Sequence, residues 1–491
     1  MREIKSRFFG ISTKKLFLIA NLCMLLLLPS VQASPDIEQK VDECINAYVK
    51  MKQFSGSVLM AKDGKILVKK GYGMANYEND VPNTPQTKFR IGSITKQFTA
   101  MAIMQLEEKG LLKVEDTLTK YIPNYPNGEK ITIHHLLTHT SGILTVDRIP
   151  AFMGSEMLPW PVERTIDLIK DEPLDFAPGE KFRYNNSGYI LLGYIIEKVS
   201  GKTYPEYIKE NIFKVLNMKD SGYVDHDTVL KNRASGYNVT DEGLINATYL
   251  VINNQSAAGA LYSTLEDLYI WDRALYTEEL VSKGTLKKIY TPYKNNYGYG
   301  VYIDELFKHK RIFHTGTNKG FRAQIARFPE DDACIITLSN IFYQQIERIS
   351  RNLTAILFGE EYELPKEPKR ETVKLDPKIY DDYVGKYHAA GYRASPDFYI
   401  SVIRKDGRIL NQITPNIFIE VTRENERLFI KLVGDQIAGR RRMELFPESE
   451  TKFFRKIADE QITFVRDENG NVTELIMQAG GGGGTVCKKV H

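Results

Sequence analysis

The stretch from Phe89 to Leu106 constrains the fold more than any other part of the chain. It reads as a turn at Gly92 followed by a helix. Ile94, Phe98, Ala100, Met101, Ala102, Ile103, Met104 and Leu106 leave that helix apolar on nearly every face. A helix that is apolar all round lies inside a protein, so the rest of the chain must wrap it. Yet Lys96 falls in its first turn, three residues after Ser93. Positions i and i+3 share a helix face, so the spacing puts an ammonium beside a hydroxyl. A buried lysine must find partners or give up its proton. A lysine of lowered pKa is a candidate general base for a serine nucleophile, and first-turn N–H groups favour negative charge developing there. The plain alternative is that Lys96 reaches solvent and Ser93 only caps the helix. The stretch alone leaves both open.

Residues 1–33 carry a targeting pattern. Arg2, Lys5, Arg7, Lys14 and Lys15 precede an apolar run from Leu16 to Leu28, and Val31-Gln32-Ala33 forms a small-x-small cleavage site. The run is short for a membrane span, so the expectation is a signal peptide and an exported chain, periplasmic or extracellular after cleavage. An uncleaved leader is the alternative and the one route to a membrane. Cys23 lacks a lipoprotein setting, because Leu22 stands where a small residue is wanted. The leader's five basic residues against one acid account for the whole net charge of +4. The remainder is near neutral, which argues against nucleic acid as a partner. Cys44, Cys334 and Cys487 are too few and too dispersed for a disulfide framework or a zinc site. They read as buried thiols, with a Cys44–Cys487 bridge left open.

The patterning divides the chain into a main domain over 34–362, a linker over 363–377 and a C-terminal domain over 378–491. An amphipathic helix over about 37–50 precedes a hairpin, Ser57–Ala61 and Ile66–Val68 around Asp63-Gly64. From 130 to 290 the pattern is helical, with clear helices at Gly188–Val199, Tyr204–Leu216 and Leu265–Leu275. Strands return at Tyr299–Tyr302, Gln324–Phe328 and Cys334–Leu338, and a helix closes the domain over Ile341–Leu357. Strands at both ends with helices between predict an α+β layout: one antiparallel sheet flanked by helices, plus a helical subdomain. Prolines 365, 368 and 377 mark the linker. Beyond it Phe398–Val402, Ile417–Ile419, Arg427–Ile430, Phe453–Phe454 and Gln461–Val465 read as short strands of a small all-β barrel or sandwich, and Gly480–Gly484 as a flexible terminal stretch.

Ser-x-x-Lys is weak alone. It recurs at Ser12 and Ser449, but only Ser93–Lys96 opens a helix. Tyr184-Asn185-Asn186 follows the rigid turn Phe176-Ala177-Pro178-Gly179 and precedes the Gly188 helix, a setting suited to function. A tyrosine near a lysine cation would have a lowered pKa and could exchange protons with a serine. Asn186 could orient Lys96 or a substrate amide. His314-Thr315-Gly316-Thr317 occurs once. Gly316 would let a substrate backbone lie close, and the Thr317 N–H could join that of Ser93 as an oxyanion hole. His134, His135 and His139 read as structural.

The ordered set Ser-x-x-Lys, Tyr-x-Asn, His-Thr-Gly resembles the penicillin-recognising serine hydrolases. The chain looks most like their class C beta-lactamase and low-molecular-weight penicillin-binding protein branch, over about residues 37–358. Supporting runs are Ile131–Ile143, Pro178-Gly179-Glu180 and Ala257–Thr264. The tail, especially 444–454, is similar to the β-domain appended to some of these proteins. The resemblance implies a Ser93 acyl-enzyme, with Lys96 and Tyr184 sharing base and acid work. It implies that Asn186 positions the acyl side chain, that His314 and Thr315 face the substrate carboxylate or leaving group, and that Ser93 and Thr317 N–H groups hold the oxyanion. No metal or cofactor is implied. Expected substrates carry a D-amino acid, ester or lactam group, peptidoglycan among them. The expected activity is a D-alanyl-D-alanine-type peptidase or esterase; the alternatives are a binder acylated without efficient turnover, or a true beta-lactamase. Many beta-lactamases of this branch carry lysine where His314 stands. A part-time charge there predicts that activity on carboxylate-bearing substrates falls between about pH 6 and 8.

Overall fold

Six strands drawn from both ends of residues 35–358 form one antiparallel sheet in the computed structural model. The structure describes residues 35–153, 160–225, 227–240, 243–249, 251–343, 346–366, 370–388, 418–433, 442–455, 460–479 and 485–490. The leader, Phe398–Val402 and Gly480–Gly484 therefore lie outside the described residues.

The chain opens with α1 (Pro35–Lys50), then the hairpin β1 (Gly56–Lys62) and β2 (Lys65–Tyr72). The short strand β3 (Phe89–Arg90) leads into α2 (Thr95–Glu108). After α3 (Asn186–Ser200) come the short strands β4 (Gly222–Tyr223) and β5 (Leu261–Ser263). Then follow β6 (Tyr302–Leu306), β7 (His309–Asn318), β8 (Phe321–Phe328), β9 (Ala333–Ser339) and α4 (Ile346–Phe358). The sheet order is β6-β7-β8-β9-β1-β2, and β1 meets β9 in a register that runs from Gly56↔Ser339 to Lys62↔Ala333.

Strand alternation explains the layers. Val58 and Met60 of β1 pack with Val41, Ile45, Ile349 and Leu353 of α1 and α4. Leu59 and Ala61 face the other way, into the core that holds α2 and α3. Both sheet faces are thus covered, and twelve consecutive residues of α2, Thr95 to Leu106, are buried. The α+β expectation holds.

Three local expectations fail. The strand expected over Tyr299–Tyr302 starts only at Tyr302, because Gly300 turns with φ +75° and a Cβ there would meet the Lys96 carbonyl at 2.6 Å. Residues 341–342 pair as a short parallel strand, so the last helix begins at Ile346. The helix expected over Tyr204–Leu216 is an α-turn to Ile208 followed by a π-helical turn over Lys209–Phe213.

Beyond Pro377, β10 (Gly385–His388), β11 (Phe418–Glu424), β12 (Arg427–Val433), β13 (Met443–Pro447), β14 (Lys452–Arg455), β15 (Glu460–Arg466), β16 (Val472–Ala479) and β17 (Thr485–Val490) form a closed barrel. Its core gathers Tyr383, Tyr387, Ile419, Leu428, Phe453 and Phe464. Cys44, Cys334 and Cys487 are buried free thiols, so the Cys44–Cys487 bridge does not form.

Candidate active site

Ser93 lies in a tight turn, Gly92–Ile94, immediately before α2. That turn is wedged against β7. Gly92 has φ +51°, and a Cβ there would stand 2.7 Å from the Thr317 nitrogen. A Cβ on Gly316 would stand 1.9 Å from the Ile91 carbonyl oxygen. Gly316 was expected to admit a substrate backbone; the backbone it admits is that of Ile91. Two glycines thereby bring the Ser93 and Thr317 main chains together. Along β7 His314 and Gly316 are buried, whereas Thr315 and Thr317 are half-buried. The Thr317 hydroxyl accepts from Arg322.

Lys96 is 0% exposed, whereas Ser93 is partly open. Its Nζ lies 3.1 Å from Ser93 Oγ, 2.8 Å from Asn186 Oδ1 and 2.8 Å from the Ala258 carbonyl oxygen. Burial lowers its pKa to about 7, against the opposing pull of Asp147. A neutral amine has two N–H donors and one lone pair. Asn186 and Ala258 offer only acceptors to it, so the lone pair is left to Ser93. That is the geometry of a base poised on a hydroxyl.

Asn186 is itself oriented. It opens α3, where Asn185 caps the helix by accepting from Gly188 N at 2.9 Å. The Asn186 side chain accepts from Lys96 and donates through Nδ2 to Asp147 Oδ2 at 2.6 Å. Asp147 is buried, accepts from Thr145 Oγ1 at 3.1 Å, and has its carboxyl pKa raised by desolvation. The Ser187 hydroxyl pins this loop, donating to the Leu144 carbonyl and accepting from Val146 N, both at 2.7 Å. The result is a chain from Asp147 through Asn186 and Lys96 to Ser93.

A family model described as beta-lactamase matches residues 41–358. The chain belongs to the beta-lactamase family. Penicillin-binding protein 4* of Bacillus subtilis (strain 168) is 31% identical over 461 residues, 87% of this chain and 94% of that relative. A solved octameric penicillin-binding protein homologue from Pyrococcus abyssi is 28% identical with a TM-score of 0.60, covering 92% of this chain and 100% of that one. D-amino acid amidase from Ochrobactrum anthropi SV3 has a TM-score of 0.60, covering 66% of this chain and 99% of that one; at 22% identity it speaks for the fold alone. This beta-lactamase family member is a serine hydrolase.

Two electrostatic expectations are corrected. Burial raises the Tyr184 pKa well above its ordinary value, and the neighbouring Ser93 hydroxyl offsets this only in part. Lys96 meets the face of the Tyr184 ring, 4.9 Å from its centroid, so no ammonium–phenolate pair forms. The ring is partly exposed, but the hydroxyl is buried and makes no well-formed hydrogen bond among the described residues. His314 is 1% exposed, and burial with the nearby Lys96 charge pushes its pKa down to about 3. Its Nδ1 lies 2.6 Å from the Thr315 carbonyl oxygen, which can only accept, so Nδ1 carries the proton. Nε2 then accepts from the Tyr297 hydroxyl at 3.1 Å. A ring so satisfied stays neutral, and the expected part-time charge and its fall in activity between pH 6 and 8 are withdrawn.

His139, read as structural, accepts at Nδ1 from Asn185 N at 3.1 Å and so helps to place the Tyr184-Asn185-Asn186 loop. Asp147, Tyr297 and the Ala258 carbonyl are contributors that sequence reasoning missed. Tyr297 and Ala258 lie in runs rich in tyrosine and in small residues. Asp147 stands in a single 3-10 turn, Val146–Arg148, too short for any periodicity or motif to single it out.

Proposed function

We propose that this chain is an exported serine acyl hydrolase that works through a Ser93 acyl-enzyme on D-amino-acid peptides or esters. The observation that carries the reading is the buried Lys96 amine within hydrogen-bond reach of Ser93 Oγ. In the proposed sequence Lys96 takes the Ser93 proton as Oγ attacks the acyl carbon. The Ser93 and Thr317 N–H groups receive the oxyanion. Tyr184, kept protonated by burial, serves as donor to the departing group rather than as base. The Lys96 ammonium then returns the proton it took from Ser93 to the Tyr184 oxygen by way of an entering water, which leaves Lys96 neutral. Asn186 holds Lys96 and presents its amide edge to the acyl side chain. Thr315 lines the departing side. His314 acts through Tyr297 and the Thr315 carbonyl. Water then attacks the ester carbon, Lys96 takes its proton, and the Lys96 ammonium gives that proton to Ser93 Oγ as the acyl C–Oγ bond breaks.

The D-amino-acid preference draws on the resemblance of the Ser93, Tyr184 and His314 motifs to the penicillin-recognising serine hydrolases and on the similarity to penicillin-binding proteins; peptidoglycan is the corresponding macromolecular substrate. Export draws on the leader pattern of residues 1–33. A second reading, acylation without efficient turnover, is favoured by the similarity to penicillin-binding proteins and by the neutral His314, which offers no cation to a carboxylate. A fluorescent penicillin and a chromogenic ester, each offered to native protein and to Ser93→Ala, separate the two. Turnover lost in Ser93→Ala supports the hydrolase. Stable label without turnover supports the binder. Neither label nor turnover by folded native protein overturns both.

A further inference from the structure

A cavity of about 740 Å³ lies apart from the Ser93 centre. Its wall is the small sheet β3-β5-β4 together with the segment after α3. None of Ser93, Lys96, Tyr184, Asn186 or His314 lines it. The volume falls within the range of small-molecule sites, about 300–1,000 Å³.

Two features give the cavity a chemistry. The first is an apolar wall: Tyr223, Leu230 and Tyr262 are partly exposed, and Phe213 and Phe321, each 5% exposed, lie among the lining. The second is an unbalanced charge. The lining carries six lysines and arginines against two acids. Lys88 is matched to Asp220 at 2.9 Å. Arg90 and Arg233 are not matched: among the described residues neither guanidinium has an ion pair or a hydrogen bond to an acceptor. Arg90 is half-buried, its guanidinium 5.9 Å from the Phe321 ring centroid. The backbone keeps the pair close, because Lys88 N donates to the Asn232 carbonyl and Ala234 N to the Lys88 carbonyl, so Arg233 runs beside the strand that bears Arg90. Burial, joined by the Arg233 charge and opposed by Tyr249, lowers the Arg90 pKa to about 10. Arg233 is exposed, so solvent screens part of this repulsion, and an anion joining both guanidinium forks would relieve the rest; such forks suit carboxylate and phosphate oxygens.

We propose that this cavity is a second ligand site, which takes an amphiphile with an apolar chain along Tyr223, Leu230 and Tyr262 and one oxyacid head between Arg90 and Arg233. Carboxylate and phosphate heads share the recognising chemistry. The site is independent of the acyl chemistry at Ser93.

The test is calorimetric titration of the full chain with decanoate, decyl phosphate, decanol and acetate, each below micelle-forming concentration. Decanoate, decyl phosphate or both bind at one site per chain, and which of them does so identifies the head. Decanol and acetate bind at least tenfold more weakly. The Arg90→Gln/Arg233→Gln variant loses at least tenfold in affinity for the charged amphiphile, and Arg90→Lys/Arg233→Lys recovers part of it. Thermal unfolding and Ser93 labelling by a fluorescent penicillin show that each variant is folded. The proposal is overturned if folded protein binds neither charged probe, if decanol binds as well as decanoate, or if the double glutamine variant binds unchanged. It is equally overturned if prior acylation of Ser93 abolishes binding, since the probe would then occupy the catalytic centre.

Discussion

At the residue scale, the candidate site turns on which groups hold protons near neutrality. Lys96 must be neutral to accept from Ser93, and burial sets its pKa at about 7. Below that value the amine is protonated and cannot act as base; above it the base is free. Ester kcat/KM is therefore expected to rise as pH increases through about 7, opposite in sign to what a titrating His314 would give. A profile that falls or stays flat between pH 6 and 8 removes Lys96 as the base. Asp147 refines this. Its charge favours the Lys96 cation, and its Oδ2 accepts from the Asn186 amide at 2.6 Å. Asp147→Asn keeps an acceptor for that amide but deletes the charge, so the rising limb is expected to move to lower pH, with KM little changed. An unshifted limb would mean that Asp147 serves only to orient Asn186. Ser93→Ala removes acylation altogether while the thermal midpoint stays near that of the native chain, because Ser93 is only partly buried and Lys96 keeps its bonds to Asn186 and the Ala258 carbonyl.

At the scale of elements, the site depends on β7 lying flat against the turn before α2. Gly316→Ala would drive a methyl into the Ile91 carbonyl, where 1.9 Å is available. The strand must move away, at a cost of about 1–3 kcal/mol, typical of overpacking. A lowered denaturation midpoint is expected together with a loss of kcat far larger than any change in KM, since the Thr317 N–H leaves Ser93. Asn185→Ala tests the other side. Loss of its cap on α3 costs about 1 kcal/mol, and Asn186 is displaced with the helix start. These dependences mark how far sequence reasoning reached. The buried α2 and the i, i+3 pairing of Ser93 with Lys96 were legible, because helical periodicity is local. The strands β1, β2, β8 and β9, drawn from both ends of the main domain, were legible from their apolar runs, whereas the edge strand β6 was expected over Tyr299–Tyr302 and begins only at Tyr302. The reason for Gly316 was not, because its partner Ile91 is remote in the chain. Tyr184 was misjudged for a related cause: nearness to an ammonium was foreseen, but desolvation is fixed by everything packed around the ring. Asp147 meets Asn186 only through tertiary structure, and no spacing rule connects them.

At the scale of the molecule, the two ends of the C-terminal region decide whether the barrel exists. The first strand, β10, pairs with the last, β17, through Lys386↔Val490, Tyr387↔Lys489 and His388↔Lys488. On its other edge β17 pairs with β16 from Glu474↔Lys488 to Met477↔Thr485 and brings Cys487 into the core. The ring thus closes only when the final strand arrives. A chain ending at Gly484 would leave β10 and β16 as open edges, each a row of unpaired N–H and C=O groups ready to template association. Every group of the candidate active site lies before Phe358, so the truncated chain is expected to self-associate in sedimentation while its monomeric fraction is still acylated at Ser93 by a fluorescent penicillin. A truncated chain that stays monomeric with an unchanged unfolding profile would show that strand closure does not stabilise the barrel. A soluble truncated monomer that no longer acylates would show that the barrel supports the Ser93 centre, and the separation of chemistry from barrel integrity would fail.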